Sequence, residues 1–169
     1  VYFPYWMVDW RGDAAMEAEA TKVRTWRTGD TEYTETQFYR VYREGNVEFD
    51  DMPKIALQKA NRKLVEGVQP YDPKAAKQFS MRYLSGFQAE RRDLETEAFG
   101  AEIARDTEQY AKRVLENDMR GYTTVRPVHQ QVSNRQERWR YALVPVWVMT
   151  YKGKNGKIYY YTINGQNGK

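Results

Sequence analysis

The chain has 169 residues with a formal net charge of +4, and 41% of them are hydrophobic and 15% aromatic. This length suits a single domain, and the apolar content excludes wholesale disorder although 30% of the residues are charged. The sequence has no cysteine, which excludes disulfides and cysteine-ligated metal sites within it, and no apolar run approaches the roughly 18 residues of a membrane-spanning helix.

The first fifty residues predict an antiparallel β-meander of four strands. The strands are expected where aromatic and β-branched residues are frequent or where apolar and polar residues alternate, at residues 1–10, 16–26, 32–43 and 47–49. Glycine with polar neighbours marks the three turns between them, at Gly12-Asp13, Thr28-Gly29-Asp30 and Glu44-Gly45-Asn46.

A helix is predicted after residue 50. Asp50 and Asp51 can cap its start, and Pro53 is tolerated in a first turn. Its buried face would hold four apolar residues at helical spacing: Leu57, Ala60, Leu64 and Val68. Gly67 would end this helix.

Two more helices are predicted before residue 122. A short one begins at the Asp72-Pro73 start signal and runs to about residue 79, and a tight junction follows at residues 83–87. The longest helix covers about residues 93–119 and ends at Gly121. Its apolar stripe is expected to contain four residues: Phe99, Ile103, Tyr110 and Val114.

The last fifty residues predict a return to strands. These are expected at residues 123–132, 138–151 and 157–163, with a turn at Asn134 and a hairpin turn at Asn155-Gly156. A short Pro-x-Trp element occurs once at each end of the chain, at Pro4-Tyr5-Trp6 and Pro145-Val146-Trp147. One hairpin unit is therefore used twice, and its two copies form either one sheet or two related half-sheets.

The predicted fold class is α+β, because strands flank a helical middle rather than alternating with helices. A β-meander (residues 1–50) and basic β-hairpins (residues 122–169) enclose a central helical segment (residues 51–121). Both ends of the sequence read as cuts, so residues 1–169 are predicted to be one domain excised from a longer protein.

Charge is unevenly distributed along the chain. Residues 120–169 hold nine Lys and Arg residues and a single acid, Glu137, whereas residues 1–119 carry a net negative charge. A basic third can attract nucleic acid or an anionic membrane surface. It can equally be a solvated face whose cations protect an edge strand from aggregation. The sequence leaves both interpretations open.

No catalytic or metal-binding set of residues is predicted. His129 is the only histidine, and its neighbours offer neither a nucleophile nor further metal ligands. The acidic pairs Asp50/Asp51 and Glu95/Glu97 fall at predicted helix starts, where carboxylates stabilise the helix dipole. We therefore expect no enzyme activity, no catalytic residue, no metal and no cofactor.

Aromatic residues interleaved with cations form the predicted binding surface. Such surfaces can stack single-stranded bases or hold an extended peptide, although the same rings could pack a sheet onto the long helix. Trp6 and Trp147 are expected in the core, whereas both interpretations stay open for the tyrosines of the last strand. The candidate binding residues are Arg138, Arg140, Lys152, Lys154, Lys157, Tyr159 and Tyr161.

Five strings in this sequence resemble an uncharacterised bacterial family that occurs mostly in Firmicutes. They are Pro4-Tyr5-Trp6, Tyr83-Leu84-Ser85-Gly86-Phe87 with Ala89-Glu90, Arg120-Gly121-Tyr122, the segment from Tyr141 to Trp147, and the segment from Thr162 to Lys169. The resemblance spans essentially the whole chain. It implies that this is a middle domain, preceded by a TFIIB-like zinc ribbon and followed by a transmembrane segment.

The resemblance also implies a setting for the domain. Some relatives are labelled as primosomal replication helicase proteins, but this chain has no Walker motif, so helicase activity is not expected. A transmembrane segment after Lys169 would place the basic third beside the membrane, where cations favour the cytoplasmic face and anionic headgroups. The closing hairpin (residues 157–169) is also similar to the end of PepSY-type domains, which suggests a binding or inhibitory module.

The first functional hypothesis is therefore a non-enzymatic binding domain of a membrane-attached bacterial protein. Its expected partners are an unidentified protein and an anionic membrane surface on the cytoplasmic side. The alternative is a nucleic-acid-binding accessory domain linked to replication, in which rings as well as charges contact a single strand.

Overall fold

The computed structural model describes residues 1–58, 65 and 67–169, and these include four β-strands and an α-helix of 18 residues. The strands are β1 (Tyr2–Thr28), β2 (Thr31–Ile55), β3 (Thr124–Lys152) and β4 (Ile158–Asn164), and the helix is α1 (Gly100–Asn117). Short 3-10 helices lie at Pro73–Ala75, Met81–Leu84 and Thr96–Phe99. One sheet has the strand order β2-β1-β3-β4, which confirms the predicted α+β class.

The chain divides into two compact units, and the three long strands run through both of them. The first unit consists of Val1–Asp9, Asp50–Phe99 and Arg138–Lys169, and the second of Trp10–Phe49 and Gly100–Glu137. Each unit therefore gathers segments that are distant in sequence. The β3–β4 hairpin belongs to the first unit and α1 to the second.

The core of the first unit is apolar and draws on three strands and the loop beyond β2. Its buried members are Tyr5, Met7, Ile55, Leu57, Val65 and Val144, with Phe3, Tyr71 and Ala142 packed against them. Both Pro-x-Trp elements lie in this unit, on the neighbouring strands β1 and β3. The backbone N–H of Val146 donates to the carbonyl of Val1 at 2.8 Å, so the two elements share one sheet.

The core of the second unit forms where one face of β1 meets α1. Alternate β1 residues are buried on this face: Trp10, Gly12, Ala14, Met16, Ala18 and Ala20. Several of these side chains are small, which allows a helix to approach the sheet closely. The helix is held by a ring contact between Phe49 and Tyr110, with centroids 5.4 Å apart, and by an ion pair of 2.8 Å between Arg43 and Asp118.

The buried stripe of α1 differs from the predicted one. Its members follow a four-residue spacing, Ile103, Thr107, Ala111 and Leu115, whereas the predicted Tyr110 and Val114 are exposed. Thr107 can be buried because its hydroxyl donates to the Ile103 carbonyl at 2.9 Å. Two predicted members, Phe99 and Ile103, are buried as expected, and the prediction was wrong for the other two.

The start of α1 was also predicted too early. Residues 93–95 are not helical and contact the loop after β2 and the strand β1: the Asp93 carboxylate accepts from the Gln58 N–H, and the Leu94 carbonyl accepts from the Trp6 ring nitrogen. A 3-10 helix at Thr96–Phe99 then leads into α1 at Gly100. The helix predicted at residues 72–79 is also shorter than expected. It is a 3-10 helix at Pro73–Ala75, and Asp72 caps its start as predicted.

Three of the predicted turns are absent because the strands continue through them. Gly12 lies inside β1, where a Cβ atom would overlap the Ser133 carbonyl and the ring of Trp10. This glycine therefore permits close approach of a neighbouring strand rather than a turn. Asn134 lies inside β3 and donates through its side chain to Glu137, and nothing in the structure explains Gly45, which lies inside β2.

Two turn predictions are confirmed by positive φ at glycine. Gly29 has a φ of +62° in the turn between β1 and β2, and Gly156 has a φ of +77° in the turn between β3 and β4.

The helix predicted after residue 50 does not begin at Asp50 or Asp51, because β2 continues to Ile55. Part of its predicted face, Ala60 and Leu64, lies outside the described residues.

Candidate functional site

The β3–β4 hairpin carries most of the predicted binding residues, and large apolar side chains are exposed on both of its faces near the tip. Antiparallel register sets Trp147 opposite Ile163, Met149 opposite Tyr161, and Tyr151 opposite Tyr159. Directly opposed residues point to the same side of a sheet, so these six side chains form one surface, which we call the hairpin face. All six are exposed, and Trp147 and Met149 are each 59% exposed. Neighbouring exposed apolar side chains of this kind are typical of interaction sites.

The position of Trp147 corrects one prediction. It was expected in the core together with Trp6, but it stands on the exposed hairpin face. Trp6 is half-buried, and its ring nitrogen donates to the Leu94 carbonyl at 3.0 Å. The two Pro-x-Trp elements therefore share a sheet but place their tryptophans in different environments.

Three tyrosine rings of the hairpin face form a stack. The ring of Tyr151 lies 5.1 Å from that of Tyr159 and 5.7 Å from that of Tyr161, and both pairs are close to parallel. Tyr151 therefore has two ring neighbours on the adjacent strand, Tyr159 and Tyr161. A hydrogen bond with Tyr161 raises the pKa of the Tyr151 hydroxyl above its usual value.

Tyr159 is additionally fixed to the hairpin turn. Its ring edge lies 2.6 Å from where a Cβ of Gly153 would stand, so this glycine makes room for the ring. The Asn155 side-chain amide donates to the Tyr159 hydroxyl at 3.0 Å, and its carbonyl oxygen accepts from the Lys157 N–H at 3.1 Å. The sequence predicted exposure of Tyr159 and Tyr161 as one alternative, and this is what the structure has.

Lysines surround the tip of the hairpin. Lys152, Lys154 and Lys157 are exposed, and none of them forms an ion pair with any residue that the structure describes. Arg138, further back on β3, is exposed in the same way. These four predicted binding residues thus keep their charges available to a ligand.

Arg140 differs from the other candidate cations. Its guanidinium donates to Asp9 at 2.8 Å and to Asp51, and these hydrogen bonds raise its pKa. The Asp51 N–H also donates to Asp9 at 3.0 Å. Arg140 therefore belongs to an internal cluster that joins β1, β2 and β3 in the first unit.

Further arginines of the basic third are neutralised within the second unit. Arg126 pairs with Glu19 and Arg135 with Asp13, both at 2.5 Å. The hydrogen bond from Arg126 lowers the pKa of Glu19 below its usual value. The excess of cations in the last fifty residues is therefore partly balanced by acids of β1, and the available charge is concentrated at the hairpin.

A separate aromatic cluster holds the segment that precedes α1. The Arg92 guanidinium lies 5.3 Å from the ring centre of Trp6 and 4.9 Å from that of Tyr141, and its Nε donates to Glu95 at 2.9 Å. Trp139 packs edge-on against Trp6. Tyr141 thus contacts Arg92, and Trp139 packs against Trp6 and Phe99, so neither of these β3 rings is part of the hairpin face.

The C-terminal string around Asn164 is structural. Asn164 is 1% exposed, and its amide nitrogen donates to the carbonyls of Val68 and Pro70. Its amide oxygen accepts from the N–H groups of Gln166 and Asn167. This side chain joins β4, the closing turn and the loop near residue 70.

The remaining sequence candidates for chemistry are dispersed. His129 is exposed on β3, and Glu95 is engaged by Arg92. Among residues 1–58, 65 and 67–169, no three His, Cys, Asp or Glu side chains lie close enough together to hold a metal ion. In the same part of the chain, no helix combines the length and apolar character needed to cross a membrane.

Comparison with known proteins gives one informative relative. The chain is 27% identical over all 169 residues to an uncharacterised protein, YdjG, of Bacillus subtilis (strain 168). The matched region is 49% of that protein, so the chain spans about half the length of its relative. No protein-family model and no solved structure matches the chain. The relative is bacterial and uncharacterised, as the sequence predicted, and a zinc ribbon or transmembrane segment stays a prediction.

Proposed function

We propose that this domain is a non-enzymatic binding domain and that its hairpin face binds an anionic membrane surface. The observation that supports this most strongly is the combination of an exposed aromatic and apolar face with unpaired lysines at its tip. Tryptophan and tyrosine prefer the boundary between headgroups and acyl chains, because one part of each ring is apolar and another is polar. Each lysine close to an anionic leaflet adds about 1 kcal/mol of attraction.

The arrangement of the tyrosine rings favours a membrane over a single nucleic-acid strand. A base needs a free ring face on which to stack. Tyr151 packs against both Tyr159 and Tyr161, and the edge of Tyr159 lies against Gly153. These three rings therefore contact one another, which leaves less of their faces for a base. A surface that buries the whole face at once makes no such demand.

The proposed membrane attachment extends to the full-length protein. The relative is about twice as long as this chain, so a longer protein can carry further segments on either side. We propose that the domain works on the cytoplasmic face, beside a transmembrane segment that keeps the hairpin near the headgroups. A protein partner would then bind elsewhere on the domain.

A vesicle-binding experiment with a matched charge control tests this proposal. Replacing Lys152, Lys154 and Lys157 by Glu should abolish co-sedimentation with phosphatidylglycerol vesicles. The control replaces three exposed cations of α1 by Glu, which changes the net charge equally: Arg105, Lys112 and Arg113. It should bind like the unmodified chain, and neutral phosphatidylcholine vesicles should bind weakly. Rising salt should weaken binding, because screening acts over about 10 Å at 0.1 M.

Two results would reject the proposal. Equal losses in both triple variants would mean that only net charge matters and that the hairpin has no special role. Binding to single-stranded DNA without binding to anionic vesicles would support the nucleic-acid alternative instead.

A further inference from the structure

A second exposed apolar segment adjoins the hairpin face. Residues 73–89 contain little regular structure beyond two short 3-10 helices, yet they expose large apolar side chains. Met81 is 71% exposed and Phe79 is 59% exposed, and Tyr83 and Phe87 are also accessible. The apolar core of the first unit, as far as the structure describes it, includes none of these four residues. The sequence assigned this segment only a short helix and a junction.

This segment is anchored next to the hairpin. The Phe87 ring meets that of Trp147 edge-on, with centroids 6.4 Å apart, and that of Tyr2 at 6.0 Å. The backbone of Tyr2 also pairs with the end of this segment. Its N–H donates to the Gln88 carbonyl, and its carbonyl accepts from the Glu90 N–H. Phe87 therefore connects the exposed segment to the hairpin face through direct contact.

The two surfaces share an unusual charge pattern. Residues 73–89 and residues 141–169 together contain seven cations and no acid: Lys74, Lys77, Arg82, Lys152, Lys154, Lys157 and Lys169. None of the seven forms an ion pair with a described residue. Elsewhere in the same unit Arg92 and Arg140 are both paired with acids. Acids are thus excluded from the part of the first unit where apolar side chains are exposed.

We propose that residues 73–89 form an insertion loop that enters the same anionic bilayer interface as the hairpin face, with Phe79 and Met81 as its apolar anchors. This inference rests on the proposed function and adds the second half of the contact surface. A cationic, acid-free surface complements anionic headgroups, and apolar side chains at its edge bury area below them. The hairpin lysines supply attraction that salt screens, whereas the anchors supply attraction that salt does not screen.

Site-specific labelling tests the insertion directly, because the chain has no cysteine of its own. An environment-sensitive fluorophore is attached to single cysteines in Met81→Cys for the loop, Met149→Cys for the hairpin face, and Gln109→Cys for the exposed side of α1. With phosphatidylglycerol vesicles, emission at the first two positions should shift to the blue and rise. The label at position 109 should not respond.

The outcomes separate the loop from the hairpin. A response at position 149 without one at position 81 would overturn the insertion loop and leave the proposed function standing. No response at either position, together with no co-sedimentation, would overturn both. A response at all three positions would also overturn the inference, since it would mean that the domain unfolds on the bilayer.

A double substitution gives an independent measurement. Phe79→Ser with Met81→Ser should weaken vesicle binding about tenfold or more at low salt and remove the binding that remains near 0.5 M salt. The control is Phe38→Ser with Tyr42→Ser, which changes two exposed rings of β2 in the second unit. Equal affinity of the two double variants would contradict the loop. Because all four side chains are exposed, circular dichroism should show unchanged folding.

Discussion

Asn164 is the residue on which the C-terminal turn depends most. Its amide makes four hydrogen bonds while fully buried, so Asn164→Ala leaves two carbonyls and two N–H groups without partners. Each unsatisfied buried group costs roughly 1 kcal/mol or more. We expect the variant to lose about 2–4 kcal/mol of unfolding free energy, measured by urea denaturation.

A neighbouring asparagine provides the control for this substitution. Asn167 is exposed, and its side chain accepts only from the Lys169 N–H. Asn167→Ala should change stability by less than about 0.5 kcal/mol, as is usual at exposed sites. Equal losses of unfolding free energy in the two variants would show that the buried Asn164 amide does not stabilise the turn.

Tyr71 makes the unfolding free energy depend on pH. Its hydroxyl donates to the Pro145 carbonyl at 3.1 Å, and burial, with a smaller contribution from Tyr5, raises its pKa well above 10. The folded pKa exceeds that of the unfolded chain, so this group stabilises the fold fully below about pH 10 and loses that contribution as pH rises further.

The substitution Tyr71→Phe isolates this effect. Between about pH 9 and pH 11 the unmodified chain should lose more unfolding free energy than the variant. The reason is that the Tyr71 phenol ionises more readily in the unfolded chain, which favours unfolding, whereas Phe has no group to ionise. Urea denaturation at several pH values measures both slopes. Identical slopes would mean that Tyr71 ionises in the folded chain as readily as in the unfolded one.

At the scale of single elements, two glycines inside strands make a direct comparison. Gly12 lies where a Cβ would overlap the Ser133 backbone, whereas Gly45 faces open space. Gly12→Ala should therefore cost about 1–3 kcal/mol of unfolding free energy, since backbone has to move. Gly45→Ala should be neutral or slightly stabilising. Thermal unfolding distinguishes them, and a harmless Gly12→Ala would reject the close-approach explanation.

The same glycines show why turns were harder to predict than strands. Glycine is used where φ is positive, as at Gly29 and Gly156, and also where another strand comes close, as at Gly12. The sequence around a glycine does not reveal a strand that arrives from more than one hundred residues away. The predicted strand stretches were therefore correct, but β1, β2 and β3 were each divided by a turn that is absent.

The prediction for α1 failed in a different physical way. Helical periodicity located the helix and its buried Ile103, but apolar size was used to choose the other buried positions. Close contact with a sheet favours small residues such as Ala111, and Thr107 satisfies its own hydroxyl within the helix. Periodicity thus predicts that a helix is present more reliably than it predicts which residues of the helix are buried.

At the scale of the whole molecule, local charge proved an incomplete guide to the binding surface. Of the cations that the sequence proposed as binding residues, Lys154 and Lys157 form no ion pair with a described residue. The sequence also included Arg140, whose acidic partners Asp9 and Asp51 lie far away in sequence. Whether a cation is free depends on which strand becomes its neighbour, and composition alone does not provide that.

The sequence also did not predict which apolar side chains are exposed. Met149 and Ile163 were not among the candidates, and neither were Phe79 and Met81, because apolar residues are expected to be buried. In the structure all four side chains are exposed, from 40% for Ile163 to 71% for Met81. The sequence therefore predicted the cationic half of the candidate surface, while the apolar half required the structure.

The strand order has a consequence for the order of events during synthesis. β1 can pair with β2 as soon as their shared turn has formed, but its other neighbour, β3, joins it through contacts such as Thr21 to Thr124, which are 103 residues apart. At about 5–20 residues per second, one edge of β1 waits on the order of ten seconds at the ribosome. During that interval the nascent chain exposes a long strand with one unpaired edge, which is open to pairing with other chains until β3 has been synthesised.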